Sequence, residues 1–144
     1  PNREVECAVL GNENPKASIP GEVTMNTDFF DFESKYVDKN ASGCLIPADL
    51  PNDILEEIRR QAVIAFKAMG CEGLSRIDFF VTEDGEILLN EINTLPGFTS
   101  VSMYPKMWEA TGIPYAELLD LLVEFGLDRY NKEQALRITA QKVE

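Results

Sequence analysis

The side chains best suited to ionic chemistry are concentrated between residues 76 and 93. Arg76, Asp78 and Phe80 alternate along one apolar-rich run, and Leu89, Glu91 and Asn93 alternate along a second. Asp84-Gly85 lies between them, a strong short hairpin signal. Taking those two as the turn residues puts Asp78 opposite Glu91, Arg76 opposite Asn93 and Phe80 opposite Leu89. All six then share one face of a two-stranded ribbon. Two carboxylates directly opposite each other repel unless a positive charge lies between them. Oxygen donors from Asp, Glu and Asn suit a hard cation, and Mg²⁺ is the usual one beside phosphate. Phe80 and Leu89, at the apolar end, could underlie a flat base. An ordinary solvated hairpin face, with Arg76 paired to an acid, is the plainer reading of the same pattern.

The following segment adds a second cluster. Glu91-Ile92-Asn93-Thr94-Leu95-Pro96-Gly97-Phe98-Thr99 leads from the acidic face into a Pro-Gly turn. Gly97 allows close backbone approach, and its N–H could serve as an oxyanion donor. Ser102 stands just before a helix expected to start near Tyr104-Pro105. A hydroxyl and free backbone N–H groups there suit a carboxylate or phosphate. Ser102 as a simple helix cap is the competing reading.

These residues need a scaffold, and the chain is long enough to build one. It has 144 residues, 44% of them hydrophobic, which fits one globular unit. Residues 4–10 read as a strand ending at Gly11. A short strand is expected near Ala17-Ser18-Ile19 and another from Gly21 to Thr24. Residues 28–36 are aromatic and charged by turns, and 37–43 read as an exposed loop. A helix begins near Pro51, with Ile54, Leu55, Ile58, Ala62, Ala65, Phe66 and Met69 at helical spacing, and Gly70 ends it. The hairpin follows as Arg76 to Val81 and Glu86 to Glu91. Helices are expected at about 104–111, 114–125 and 129–140. The order reads as α+β, an antiparallel sheet packed with helices.

Composition removes several classes of function. With 13 basic and 25 acidic residues the formal charge is −12, which argues against a broad nucleic-acid surface. The chain has no histidine, which excludes Ser-His-Asp and Cys-His catalysis and the common zinc sites. Cys7, Cys44 and Cys71 are odd in number and widely spaced, so no disulfide framework is expected and a reducing cytoplasm is. Without a histidine partner they read as small core residues. No apolar run reaches the ~20 residues of a membrane span, and Pro1-Asn2-Arg3-Glu4, with no apolar stretch, gives no expectation of a secretory signal.

Arg76-Ile77-Asp78-Phe79-Phe80, Asn90-Glu91-Ile92-Asn93-Thr94-Leu95-Pro96-Gly97-Phe98-Thr99 and Ser102-Met103-Tyr104-Pro105 closely resemble the C-terminal part of the D-alanine-D-alanine ligases. Arg3 to Gly11 and Asp28 to Tyr36 match in the same order. The resemblance implies residues 1–144 are the C-terminal ATP-grasp subdomain, lacking the N-terminal substrate domain and the first ATP-grasp subdomain. It implies ATP- and Mg²⁺-dependent joining of two D-alanines through an acyl phosphate, for peptidoglycan. Two Mg²⁺ ions, with Mn²⁺ as a substitute, would be held by Asp78, Glu91 and Asn93, Glu91 bridging them. Arg76 and the Gly97 N–H match oxyanion and phosphate contacts. Ser102 and the Met103 N–H match the site for the second D-alanine's carboxylate. Lys35 and Tyr36 match a closing loop, Lys35 reaching phosphate and Tyr36 favouring the dipeptide over an ester with D-lactate. Glu4 matches the ribose carboxylate, with Glu6 on the same face as its rival. Phe29 and Phe80 match adenine walls, and Asn90 joins Glu91 on the nucleotide side. The fragment is expected to be inactive alone, and the full-length protein to be a cytoplasmic homodimer. Another ATP-grasp carboxylate–amine ligase and a non-enzymatic acidic binding module are the alternatives.

Overall fold

The computed structural model describes residues 2–24 and 43–141, with side chains up to Leu136. The scaffold is an antiparallel sheet built on β1 (Arg3–Gly11). One long neighbour, β5 (Gly73–Val81), pairs with β1 over nine rungs, from Arg3 opposite Val81 to Gly11 opposite Gly73. On the other side of β1 lie β2 (Lys16–Ala17) and β3 (Gly21–Val23), and β4 (Cys44–Leu45) extends the sheet beyond β3. The far edge is β6 (Ile87–Asn93), the hairpin partner of β5. The six strands run in the order β4-β3-β1-β5-β6, with β2 off that path against β1.

Alternation divides the sheet into two faces. Val5, Cys7 and Val9 of β1, with Ile77, Phe79 and Val81 of β5, face α1 (Asn52–Ala68) and pack on its Ile58, Ala62 and Phe66. Pro51 takes the N-cap position. The helix ends as expected at Gly70, whose φ of 64° no side chain favours. There the N–H groups of Gly70 and Cys71 return to the carbonyls of Lys67 and Phe66.

Among the described residues, helices cover the opposite face at one end. Ala8, Leu10 and Leu74 pack under Tyr104, Met107 and Trp108 of α2 (Met103–Thr111) and Leu118 of α3 (Tyr115–Gln141). The Tyr104 hydroxyl donates to the Val9 carbonyl at 2.8 Å. α3 is one helix where two were expected. Gly126 alone costs only about 1 kcal/mol in a helix. The ion pairs Lys132–Asp128 and Arg129–Glu133 follow it at i,i+4 spacing, and Asn12 Nδ2 donates to the Phe125 carbonyl at 3.0 Å. Among the described residues no helix is long and apolar enough to cross a membrane, and Cys7, Cys44 and Cys71 form no disulfide. Burial pushes the Cys7 thiol up to about 12, in keeping with a core residue.

Candidate functional site

At the other end of that second face the side chains turn from apolar to ionic. Three successive rungs cross β1, β5 and β6. The first is Ala8–Arg76–Asn93, the second Glu6–Asp78–Glu91 and the third Glu4–Phe80–Leu88. Asp78 therefore faces Glu91 and Arg76 faces Asn93, as expected, whereas Phe80 faces Leu88 and not Leu89.

The hairpin itself explains both results. Its loop has three residues, Glu83-Asp84-Gly85, and not two. The Thr82 N–H donates to the Glu86 carbonyl and the Gly85 N–H to the Thr82 carbonyl, both at 3.0 Å. Gly85 has a φ of 81°, the conformation such loops need from glycine. The longer loop displaces the ladder by one residue, pairing Phe80 with Leu88 and Phe79 with Leu89. Asn90 is then the extra residue of a β-bulge, and beyond it the ladder returns to Asp78 opposite Glu91. Loop and bulge offset each other at the rung that carries the carboxylates.

The middle of the site is a buried ionic cluster, not a solvated strip. The Arg76 guanidinium donates to both oxygens of Asp78, Nε to Oδ1 at 2.8 Å and Nη2 to Oδ2 at 2.7 Å. Arg76 is raised above its ordinary value chiefly by that hydrogen bonding. Asp78 and Glu6 are buried, at 3% and 6% exposure. Glu6 Oε2 lies 3.4 Å from Arg76 Nε and is buried without a hydrogen bond. Burial pushes the Glu6 carboxyl up to about 7; Arg76 opposes the shift, while Asp78, Glu4 and Glu91 add to it. Glu6, Asp78 and Glu91 all act on the Arg76 guanidinium, and with Glu4 two rungs along the acids outnumber the bases of this face among the described residues. Asp78, Glu91 and Asn93 offer oxygen donors on adjacent rungs, and that donor chemistry suits a hard divalent cation. Among the described residues no three acidic or thiol side chains are already gathered as a metal cage.

The second cluster is joined to the first through Gly21. Gly21 pairs with Glu6 across β3 and β1. A Cβ on Gly21 would lie 2.7 Å from the Met103 methyl carbon, so the absent side chain gives α2 room to seat its first residue there. Ser102 holds the N-cap position of α2, but its hydroxyl makes no hydrogen bond to the helix. It accepts instead from the Thr99 N–H at 3.1 Å and lies 2.9 Å from the Thr99 hydroxyl. The simple-cap reading therefore fails for the side chain. A Cβ on Gly97 would come within 3.2 Å of Ser102 Oγ, so glycine permits the close approach of the two segments. Asn93 Oδ1 accepts from the Leu95 N–H at 3.2 Å and bends the chain out of β6. Glu4 and Phe80 share the third rung and both are half-buried.

Phe29, Lys35 and Tyr36 lie outside the described residues. Gly21 and Ala8 escaped the sequence reading, since only strand pairing reveals what stands beside them. Glu6 was legible as a face-mate of Glu4, though not as a buried ion-pair partner of Arg76 with no hydrogen bond to its Oε2.

An antiparallel sheet with α1 on one face, α2 and α3 on part of the other, and an ionic hairpin end is the C-terminal fold of ATP-grasp ligases. The chain belongs to the D-ala D-ala ligase C-terminus family, whose model matches residues 1–124. It is 47% identical over 137 residues to D-alanine–D-alanine ligase A of Salmonella typhimurium, covering 95% of this chain and 38% of that protein. The structure of the D-alanine-D-alanine ligase from Coxiella burnetii superposes with a TM-score of 0.82 at 44% identity, over 99% of this chain and 36% of that one. The VanG D-Ala:D-Ser ligase from Enterococcus faecalis gives 0.72 at 38% identity, over 87% and 36%. The chain thus spans well under half the length of these relatives.

Proposed function

We propose that residues 1–144 are the C-terminal ATP-grasp portion of an enzyme that joins two D-alanines into D-alanyl-D-alanine, using ATP and Mg²⁺, for peptidoglycan. The observation that carries this is the Glu6–Asp78–Glu91 rung, its Glu6 and Asp78 buried and its Glu91 at the exposed edge, with Arg76 and Asn93 beside it, in a chain of this family.

Asp78, Glu91 and Asn93 would hold Mg²⁺, which supplies neutralisation of phosphate charge during transfer. The acid surplus of the face and the orphaned Glu6 oxygen support that fit. The first D-alanine's carboxylate accepts the γ-phosphoryl group, and the amine of the second attacks the acyl phosphate so formed. Arg76 and the Gly97 N–H receive the oxygen charge that develops, and phosphate leaves as the tetrahedral species collapses. Ser102 Oγ and the Met103 N–H take the second substrate's carboxylate. Glu4 takes the ribose, Lys35 a phosphate, and Phe29, Phe80 and Asn90 complete the nucleotide side.

Residues 1–144 alone should make no dipeptide, because positioning dominates phosphoryl transfer and the first D-alanine's site lies in the portion absent here. The experiment is product analysis on the full-length protein at neutral pH, with D-alanine, D-serine and D-lactate in competition. D-alanyl-D-alanine as the main product is expected. The likeness to a D-Ala:D-Ser ligase makes D-serine the competitor that matters most. Tyr36→Phe should relax the choice of second substrate by opening a hydrogen-bond network. A depsipeptide or a D-serine product as the main species from the unmodified protein would overturn the reading.

A further inference from the structure

Arg76 poses a difficulty that Asp78 alone does not resolve. Both oxygens of Asp78 are taken by the guanidinium, at 2.7 and 2.8 Å. A divalent cation drawn to the same carboxylate repels the guanidinium and competes for the same lone pairs. Arg76 then needs another buried acceptor, since an unpaired charge left in so enclosed a place is costly. Glu6 Oε2 is such an acceptor. It is buried, makes no hydrogen bond and lies 3.4 Å from Arg76 Nε, so a shift of roughly half an ångström closes a hydrogen bond. On Arg76's own rung the β1 partner is Ala8, whose side chain offers no acceptor to compete with Glu6. Glu6 stands on the Asp78 rung itself, directly across β1 and β5.

We infer that Glu6 is a positioning residue that receives the Arg76 guanidinium when Asp78 turns its oxygens to a divalent cation. The inference rests on the Mg²⁺ reading of Asp78 given above. Arg76 moves from one carboxylate to its neighbour, no bond is made or broken, and the guanidinium stays paired throughout. The hand-over leaves Arg76 beside the reacting phosphate while freeing the metal ligand. A Glu6 that merely filled the core would be expected to find a fixed partner or give way to an apolar side chain.

The test is Mn²⁺ binding by the full-length protein, followed by electron paramagnetic resonance with a non-hydrolysable ATP analogue present. Glu6→Gln should weaken Mn²⁺ about tenfold, the equivalent of one charged hydrogen bond, with nucleotide affinity in the absence of metal unchanged. Glu6→Asp, a methylene shorter, should lose affinity likewise, which guards against misfolding of one variant. In an Arg76→Ala background the Glu6→Gln penalty should vanish, because no guanidinium remains to be received. An undiminished Mn²⁺ affinity in Glu6→Gln, or the same loss with and without Arg76, would overturn the inference. Asp78→Asn serves as the control on the parent reading: wild-type Mn²⁺ affinity in that variant would sink the metal assignment itself.

Discussion

Two ends of one sheet face carry opposite solutions to the same geometry. At one end Ala8, Leu10 and Leu74 lie under Tyr104, Met107, Trp108 and Leu118, and the interactions are dispersion and burial. At the other, along the same strands, Glu6, Asp78 and Glu91 gather about one arginine with Glu4 on the rung beyond. The strands, their alternation and their pairing are continuous across the boundary, so only side-chain type changes. The helix-covered end returns free energy on folding, roughly 25 cal/mol per Å² of apolar surface buried. The ionic end returns less and carries the orphaned Glu6 oxygen. A single sheet thus separates apolar packing from an ionic cluster along the length of its strands, and the proposed site occupies the half that packs less favourably.

The comparison breaks if substitutions at the two ends have the same consequences. Glu91→Gln in the full-length protein should lower kcat by about a thousandfold or more, as expected for loss of a metal-borne electrostatic contribution. Its melting temperature should hardly move, since Glu91 is exposed on the edge strand. Leu118→Ala should do the reverse. Leu118 is fully buried between α3 and the sheet, so truncation should cost about 3 kcal/mol, while kcat per folded molecule stays near wild type. Steady-state kinetics and thermal melts of both variants decide the matter. A Leu118→Ala enzyme as slow as Glu91→Gln would mean that the two ends are one cooperative site.

A smaller effect belongs to the α1 face near the same end of the sheet, where Arg3 donates to both oxygens of the buried Glu22. That hydrogen bonding holds the Glu22 carboxyl below its ordinary value near 4.5. A lowered carboxylate stabilises the fold above its unfolded pKa, and the contribution fades as pH falls through the folded value. Glu22→Gln should therefore destabilise by about 1–2 kcal/mol at neutral pH, Arg3 being partly exposed. The difference from wild type should shrink toward zero in acid, below the ordinary glutamate range. Denaturant midpoints at pH 7 and pH 3 measure it, and a gap that widens in acid would contradict the sign.

How far these features could be read in advance depended on whether they were local. The periodic apolar positions of α1 and its glycine stop lie within a few residues of each other, and the helix formed where its spacing placed it. β4, with two residues, is too short to carry any period. The break expected near residue 127 did not occur, because Asn12 and Glu13, more than a hundred residues away, hold that part of α3. The acidic rung was read correctly through two errors that cancel. A two-residue turn without a bulge pairs Asp78 with Glu91, and so does a three-residue turn with Asn90 bulged out. Phe80 exposes the difference, since it lies on the loop side of the bulge and was given the wrong partner. The contact of Met103 with Gly21, and the burial of Glu6, arise only when separate strands meet.

The least expected effect concerns that loop. Gly85 has a φ of 81°, and a Cβ there would meet only Ile54 Cδ1, at 3.6 Å, an ordinary contact. Gly85→Ala therefore carries a backbone cost with no clash, about 1 kcal/mol. The acidic rung should be insulated from it. Between Gly85 and Glu91 stands the bulge at Asn90, which already absorbs a one-residue offset, and Asp78 and Glu91 are also held in register by β1, through Glu6 opposite Asp78. Urea midpoints should fall slightly in Gly85→Ala while Mn²⁺ affinity in the full-length protein stays within about twofold of wild type, the scatter expected of a site that is not contacted. A large loss of Mn²⁺ affinity with the small loss of stability would show that the hairpin tip sets the carboxylate register. The functional half of the sheet would then depend on its most exposed turn and not on the strand pairing at its centre.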